Sequence, residues 1–325
     1  MLAAYCASQD PADPLSGLVV DEIDPPDVPD DWAIISMRAA SLNHHDLWSL
    51  RGVGLPAERL PMILGCDAAG VDSDGNDVLI YPIVGDDPSG DETMSTSRSI
   101  LSEKYPGTFA EQVAVPRRNL IAKPAGWSWA QIACLPTAWL TAYRMLAVRS
   151  GLRPGQTVLV QGAGGGVATA CIELGRAMGF QVWATSRDPE KRQRALDLGA
   201  HAVFEPGARL PQRVHAVMET VGEATWSHSV KSLRPGGTIV VSGATSGPNP
   251  PADLARVFFT QLSVVGSTMG TKEELVDLIN LCDIAGIRPV VAAEYPLAQA
   301  RDAFAQLASG DVFGKIVITN NPTDN

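Results

Sequence analysis

The stretch Thr157–Arg187, TVLVQGAGGGVATACIELGRAMGFQVWATSR, constrains the fold more than any other part of this chain. An apolar β-type run enters a glycine cluster, a helical pattern follows, and a second β-type run closes the unit. A strand feeding a glycine-rich turn aims the free N–H groups of the next helix at that turn, which makes a seat for a dinucleotide pyrophosphate. In Gly162-Ala163-Gly164-Gly165-Gly166-Val167-Ala168 the spacing G-x-G-x-x-G/A falls on Ala163, Gly165 and Ala168. Gly165 lets the backbone approach the pyrophosphate, and Ala168 allows close helix-to-strand packing. A glycine cluster alone can be a plain loop. Its flanking strand and helix make Ala163, Gly164, Gly165, Gly166 and Val167 the expected cofactor contacts.

The end of the second strand bears on which cofactor is held. An NAD site usually places Asp or Glu there to accept from the ribose hydroxyls, whereas this chain has Ser186-Arg187. Ser186, Arg187 and Lys191 suit a 2′-phosphate, so NADP(H) is expected. The alternative for Arg187 is a solvated residue ahead of the helix start at Asp188-Pro189.

From Thr157 onward β-type and helical runs alternate. Val158–Gln161, Gln181–Ser186, Ala202–Phe204, Ala216–Thr220, Thr238–Ser242 and Ser263–Ser267 make six candidate strands of an α/β, doubly wound parallel sheet. Leu233–Gly237, LRPGG, reads as a helix stop and turn, and Lys272–Ala285 as a helix ending at Gly286. Residues 1–123 are rich in Pro, Gly and Asp, with short runs near Leu18–Val20, Ala33–Ala40, Asp77–Pro82 and Phe109–Val115 that suggest a mostly β domain. Gly85–Ser99 lacks periodicity and reads as a solvated loop. Trp127–Val148 is a helical pattern interrupted by Pro136. At 325 residues two domains are the natural reading.

The formal charge of −11 excludes a general surface for nucleic acid or anionic membrane. No basic residue precedes Arg38 or falls between Arg59 and Arg98, so the N-terminal part is the acidic one. The chain opens without a basic, apolar leader and has no apolar run of about 20 residues, so neither secretion nor a membrane span is expected. Five scattered cysteines without a CxxC pair suit a reducing compartment, and a cytoplasmic location is expected.

ASLNHHDLWSLRG, LPMILGCDAAG, GTFAEQVAVP, LPTAWLTAYRML, VLVQGAGGGVATACIELGRAMG, LRPGG and the terminal GKIVIT, in that order, resemble the medium-chain dehydrogenase/reductase superfamily. They are most similar to its zinc-free NADPH:quinone oxidoreductase branch, which includes zeta-crystallin. The resemblance implies a GroES-like substrate domain of residues 1–123 plus 290–325, a Rossmann domain of residues 124–289 inserted between them, and a homodimer. It also implies that Asn43 sits beside the nicotinamide or substrate and that Asp46 orients the loop. Trp48 stands where related quinone reductases carry a Tyr. Thr137 and Thr141 are implied near the nicotinamide ribose or carboxamide, with helix-packing hydroxyls as the alternative. Thr220, Val221 and Gly222 are implied over the adenine, Ser242, Gly243 and Ala244 on the nicotinamide side, and Lys315 near the cofactor phosphates or else on the surface. Trp139, Tyr81 and Phe258 are candidates for an aromatic pocket or for core.

In zinc alcohol dehydrogenases of this superfamily the ligand positions are those that carry Asn43, Cys66 and Thr137 here, and the four-cysteine structural lobe has no counterpart in Gly85–Ser99. No metal is therefore expected, with a rearranged set of His44 or His45 with Cys66 and Asp67 as the alternative. Without a Lewis acid, a quinone or another activated alkene or carbonyl is an easier hydride acceptor than a simple alcohol, because the charge delocalises onto an enolate or phenolate oxygen. The expected function is NADP(H)-dependent, zinc-independent reduction of a small quinone, enone or aldehyde-like molecule, with Asn43, Asp46, Trp48 and Thr137 as the catalytic candidates. The rivals are an alcohol dehydrogenase with a non-standard zinc site and a non-catalytic NADP(H)-binding redox sensor.

Overall fold

A computed structural model describes residues 1–85 and 90–320. Part of the expected Gly85–Ser99 loop (86–89) and the end of the tail (321–325) lie outside the described residues. The chain divides into two compact units. The first comprises Met1–Thr137, Thr271–Val276 and the chain from Arg288 onward, and the second comprises Ala138–Gly270 with Asp277–Ile287. The first division falls at 137/138, against the 123/124 read from sequence.

The second unit holds a six-stranded sheet of Thr157–Val160, Gln181–Thr185, Ala202–Phe204, Val214–Glu219, Leu233–Val241 and Ser263–Gly266. In spatial order these run third, second, first, fourth, fifth, sixth, and every pairing is parallel. This is the doubly wound order, with its switch point beside the first strand. All four residues of Thr157–Val160 are buried, as a central strand of a parallel sheet requires. The following helix, Gly166–Ala177, buries Ala168, Cys171, Ile172 and Gly175 at helical spacing. A Cβ on Gly175 would lie 2.8 Å from Val182 Cγ2, so glycine is what lets helix and second strand approach. LRPGG does not form a separate turn. It is taken up into the fifth strand, whose pairing to the fourth shifts register between Val214 and Ala216, with Gly236 at φ +73.

In the first unit a sheet runs Leu120–Ala122, Asp77–Ile80, Asp67–Asp72, Trp32–Ser41, Lys315–Thr319, Val291–Pro296, and Gln112–Pro116 also pairs with Trp32–Ser41. The C-terminal strand returns to pair antiparallel with Ala39–Ser41. Its core includes Ile35, Met37, Leu50, Phe109 and Phe304. The last two meet edge to face at 5.8 Å, an arrangement that adds about 1 kcal/mol to their burial. Within the expected loop, Asp91 caps a turn at Glu92–Met94, Ser99–Ile100 pairs with Ile83–Val84, and Thr93, Ser95 and Ser99 are buried. Gly90, Met94, Thr96, Ser97 and Arg98 face solvent, as a loop does, while the buried hydroxyls find local partners.

Pro136 falls where the Trp129–Ala133 helix gives way to wider π-type turns at Leu135–Trp139, as a missing N–H donor favours. Lys272–Ala285 is helical and is followed by Gly286 at φ +66, as expected. Among the described residues no helix is long and apolar enough to cross a membrane.

Glu173, on the Gly166–Ala177 helix, has its carboxyl pushed up to about 8 by burial, and its Oε2 has no partner. A carboxyl that holds its proton more tightly when folded stabilises fully below the unfolded value of 4.5 and loses that contribution as pH rises towards 8. Glu173→Gln is therefore expected to raise the melting temperature at pH 8, with the gain vanishing below about pH 4.5. Thermal unfolding of both proteins across that range checks this, and a gain independent of pH contradicts it.

Candidate active site

The glycine turn forms as the local chemistry requires. Gly162 takes φ +81, a conformation side chains resist, and its N–H donates to Thr185 Oγ1 at 3.2 Å. The strained position is thus Gly162, one residue before the first fingerprint place at Ala163, which is buried. Gly165 caps the helix without any side-chain bond, and a Cβ there would meet nothing within 4 Å. Gly165 is exposed, and the first-turn N–H groups that follow it have no partner four residues back in the helix, the condition an anion seat needs.

Ser186 is buried at the end of the second strand, where its Oγ accepts from Asp188 N at 3.2 Å. Arg187 beside it is exposed. Arg192, which sequence reasoning passed over, holds this corner by donating Nη1 to the carbonyls of Ser186 (2.7 Å) and Arg187 (3.2 Å). Lys191 enters through its backbone N–H, which donates to the cap residue Asp188.

Buried Glu219 organises the loop after the fourth strand. Its Oε1 accepts from Val221 N (2.9 Å), Gly222 N (3.1 Å) and Thr225 Oγ1 (2.8 Å), and its Oε2 accepts from Ser229 Oγ. Gln161 links Ser229 to Thr185, so one chain of hydrogen bonds sets both the Thr220–Gly222 loop and the glycine turn. The loops after the fourth and fifth strands are also tied, through Thr245 N to Thr220 O and Ser246 N to Val221 O. Ser242 donates to Met145 Sδ at 3.0 Å, and Gly243 and Ala244 follow it, half-buried. Thr141 is buried in this unit.

In the first unit the conspicuous feature is a buried polar cluster around Asp67. Its carboxylate accepts from Ser41 Oγ (2.8 Å), Asn43 Nδ2 (2.8 Å) and Thr137 Oγ1 (2.6 Å). Lys315 Nζ lies 3.9 Å from it and donates to Asn43 Oδ1 and the Leu42 carbonyl. Burial pushes the Asp67 carboxyl up, against the pull of Lys315 and the three donors. Asn43 and Thr137 are therefore brought together on one carboxylate. Lys315 is neither a surface lysine nor free to meet cofactor phosphates, since it is 4% exposed and committed to the Asn43–Asp67 cluster. Asp46 caps the His44–Leu50 helix by accepting from Asn43 N at 2.8 Å, and Arg51 lies over the half-buried Trp48 ring at 5.2 Å. Trp139 and Tyr81 are core, whereas Phe258 is 71% exposed and so is not core.

Residues 29–125 match the alcohol dehydrogenase GroES-like domain and residues 166–283 the zinc-binding dehydrogenase domain. Over 99% of this chain the fold matches the whole of a solved NAD-dependent alcohol dehydrogenase, with TM-score 0.92 and 30% identity. The chain belongs to the medium-chain dehydrogenase/reductase superfamily. It is 27% identical to an acryloyl-coenzyme A reductase of Sulfurisphaera tokodaii, covering 94% of this chain and 97% of the relative. It is 26% identical to a quinone oxidoreductase of Lama guanicoe, covering 88% of each. As a member of this superfamily it is an oxidoreductase that works with a nicotinamide cofactor.

The zinc that the superfamily implies does not fit the usual positions. Asn43 and Thr137 offer no thiolate or imidazole and are both engaged by Asp67, while the Cys66 thiol turns away to His45 Nδ1 (3.4 Å) and the Leu101 carbonyl (3.3 Å). Burial pushes that thiol up, which keeps it protonated. The alternative ligand set also changes: Asp67 belongs to the Asn43 cluster, His44 is exposed, and the carboxylate beside His45 and Cys66 is that of Asp46.

Asp67→Ala would leave the Lys315 ammonium buried without its carboxylate. The expected loss is about 3–5 kcal/mol of unfolding free energy by urea titration. A loss below about 1 kcal/mol contradicts the account of this cluster.

Proposed function

We propose that this oxidoreductase uses NADP(H) and reduces a conjugated acceptor, a quinone or an α,β-unsaturated carbonyl, without routing the reaction through a metal. The observation that carries this reading is the Asn43–Asp67–Thr137–Lys315 cluster, which takes in two of the superfamily's three zinc-ligand positions, Asn43 and Thr137. NADPH, when bound, supplies a hydride from C4, and a proton from water completes reduction of the acceptor. Asp67 and Lys315 together fix the Asn43 side chain, and Asp46 fixes its backbone. The Asn43 amide and the Thr137 hydroxyl now donate to Asp67, and turning one of them from that carboxylate to a bound acceptor would orient a carbonyl and stabilise an enolate or phenolate oxygen. The names of two relatives support the acceptor class, since acryloyl groups and quinones are both conjugated.

The 2′-phosphate preference rests on Ser186 and Arg187 at the corner that Arg192 holds. The Gly165–Val167 turn takes the pyrophosphate, and the Thr220–Gly222 and Ser242–Ala244 loops take the adenine and nicotinamide sides. A homodimer is supported by Ser263–Gly266, which lies at the edge of its sheet with Val264 half exposed and with Phe258 and Phe259 shortly before it in sequence, both largely exposed. A second copy covers such an edge.

Arg187→Ala is expected to weaken NADPH binding about 10- to 100-fold, as loss of a charge-assisted contact does, and to leave NADH nearly unchanged. Equal loss for both cofactors, or none, contradicts the 2′-phosphate role. Chelator-treated protein that remains folded by circular dichroism is expected to consume NADPH with members of a quinone and enone panel, at rates unchanged by added zinc. Binding of NADPH with no turnover across the panel favours a redox sensor, and activity that appears only with zinc favours the alcohol dehydrogenase reading.

A further inference from the structure

We propose that His45, Asp46 and Cys66 form a site for a divalent transition metal, zinc by its donor set, that keeps Cys66 from the positions carrying zinc in related alcohol dehydrogenases and takes His45 and Asp46 in place of the other two. The three ligand atoms all lie within 4.8 Å of one another. His45 Nδ1 is 3.4 Å from Cys66 Sγ and 3.9 Å from Asp46 Oδ1. Donors on one tetrahedral zinc, at about 2.3 Å for sulfur and 2.0–2.2 Å for nitrogen and oxygen, sit roughly 3.3–3.7 Å apart, so movements of about 1 Å or less close the shell.

Two further observations point to a cation. Asp46 is fully buried, and while its Oδ2 caps the His44–Leu50 helix, its Oδ1 has no hydrogen-bond partner. A buried carboxylate oxygen without a donor is costly, and a metal ion satisfies it. On the far side of the ring, His45 Nε2 meets Glu103 Oε1 at 3.1 Å. That is the carboxylate–histidine arrangement that fixes the tautomer of a metal-bound imidazole and turns its other nitrogen to the ion. A thiol–imidazole contact in the core accounts for Cys66, His45 and Glu103, but it reaches Asp46 Oδ1 only at 3.9 Å, beyond hydrogen-bond distance.

Binding exchanges the thiol proton for the metal and releases it to solvent. Ser102 Oγ, 3.8 Å from the sulfur, or a water completes the shell. Occupancy joins the His44–Leu50 helix to Cys66 and the Leu101–Glu103 segment, so the metal acts on stability. This inference stands apart from the acceptor reading, and its test reads metal binding alone.

Chelator-treated full-length protein is titrated with Zn²⁺ by calorimetry and with Co²⁺ by absorbance. The expected result is one equivalent per chain, a thiolate-to-cobalt charge-transfer band and a raised melting temperature. Cys66→Ser and His45→Gln each abolish the band and weaken zinc binding at least tenfold, while Asn43→Ala, Thr137→Ala and Cys134→Ser keep both. Absence of binding, or binding that survives Cys66→Ser and His45→Gln, overturns the proposal. So does binding lost equally on Asn43→Ala and Thr137→Ala, which assigns the ion to the usual positions.

Discussion

A carboxylate taken wholly out of water must be surrounded by donors or it destabilises the fold, and Asp67 meets that condition with Ser41, Asn43, Thr137 and Lys315. Much of the first unit converges on this requirement. Lys315 begins the C-terminal strand, Ser41 ends the long Trp32–Ser41 strand, Asn43 caps the next helix and Thr137 lies in the turns beyond Trp129–Ala133. The return of the C-terminus to the first sheet therefore also delivers the ammonium that the buried acid needs. The same contacts occupy Asn43 and Thr137, so two of the superfamily's three metal positions hold neutral polar side chains that are already engaged.

The second unit shows the same economy around Glu219. One carboxylate orders the Val221–Gly222 amides directly and reaches Thr185 through Ser229 and Gln161, and Thr185 in turn holds the Gly162 N–H. Two loops at the carboxyl ends of separate strands are thereby set in one geometry, at the place where doubly wound sheets bind nucleotides.

What the sequence made legible was local. The strand, glycine turn and helix of Thr157–Ala177, the six alternating strands and the Lys272–Ala285 helix each carry their own periodicity and stop signals, and all lie within a residue or two of their expected bounds except the fifth strand, which begins five residues early at Leu233. LRPGG misled because its proline and glycines mark a turn locally, whereas pairing with Val214 draws Leu233 into the strand. The clusters were largely hidden. No spacing rule brings Lys315 to Asn43, or assigns Asp46 and not Asp67 to the side of His45, because those choices depend on which way each side chain leaves the backbone. Arg192 and Glu219 could have been suspected, the one from its place in the first turn after Asp188-Pro189, the other as an acid at the end of an apolar strand. Phe258 was read as pocket or core from its type alone, and its exposure follows from its place shortly before an edge strand.

The central claim is that hydride goes to a conjugated acceptor whose negative charge settles on an oxygen held by neutral and hydrogen-bonding groups. The most direct measurement follows deuterium from C4-labelled NADPH into a cyclic enone, with metal-stripped protein. The account predicts label at the β-carbon of a saturated ketone product. Label on the carbonyl carbon of an allylic alcohol, or transfer that begins only when zinc is restored, contradicts it.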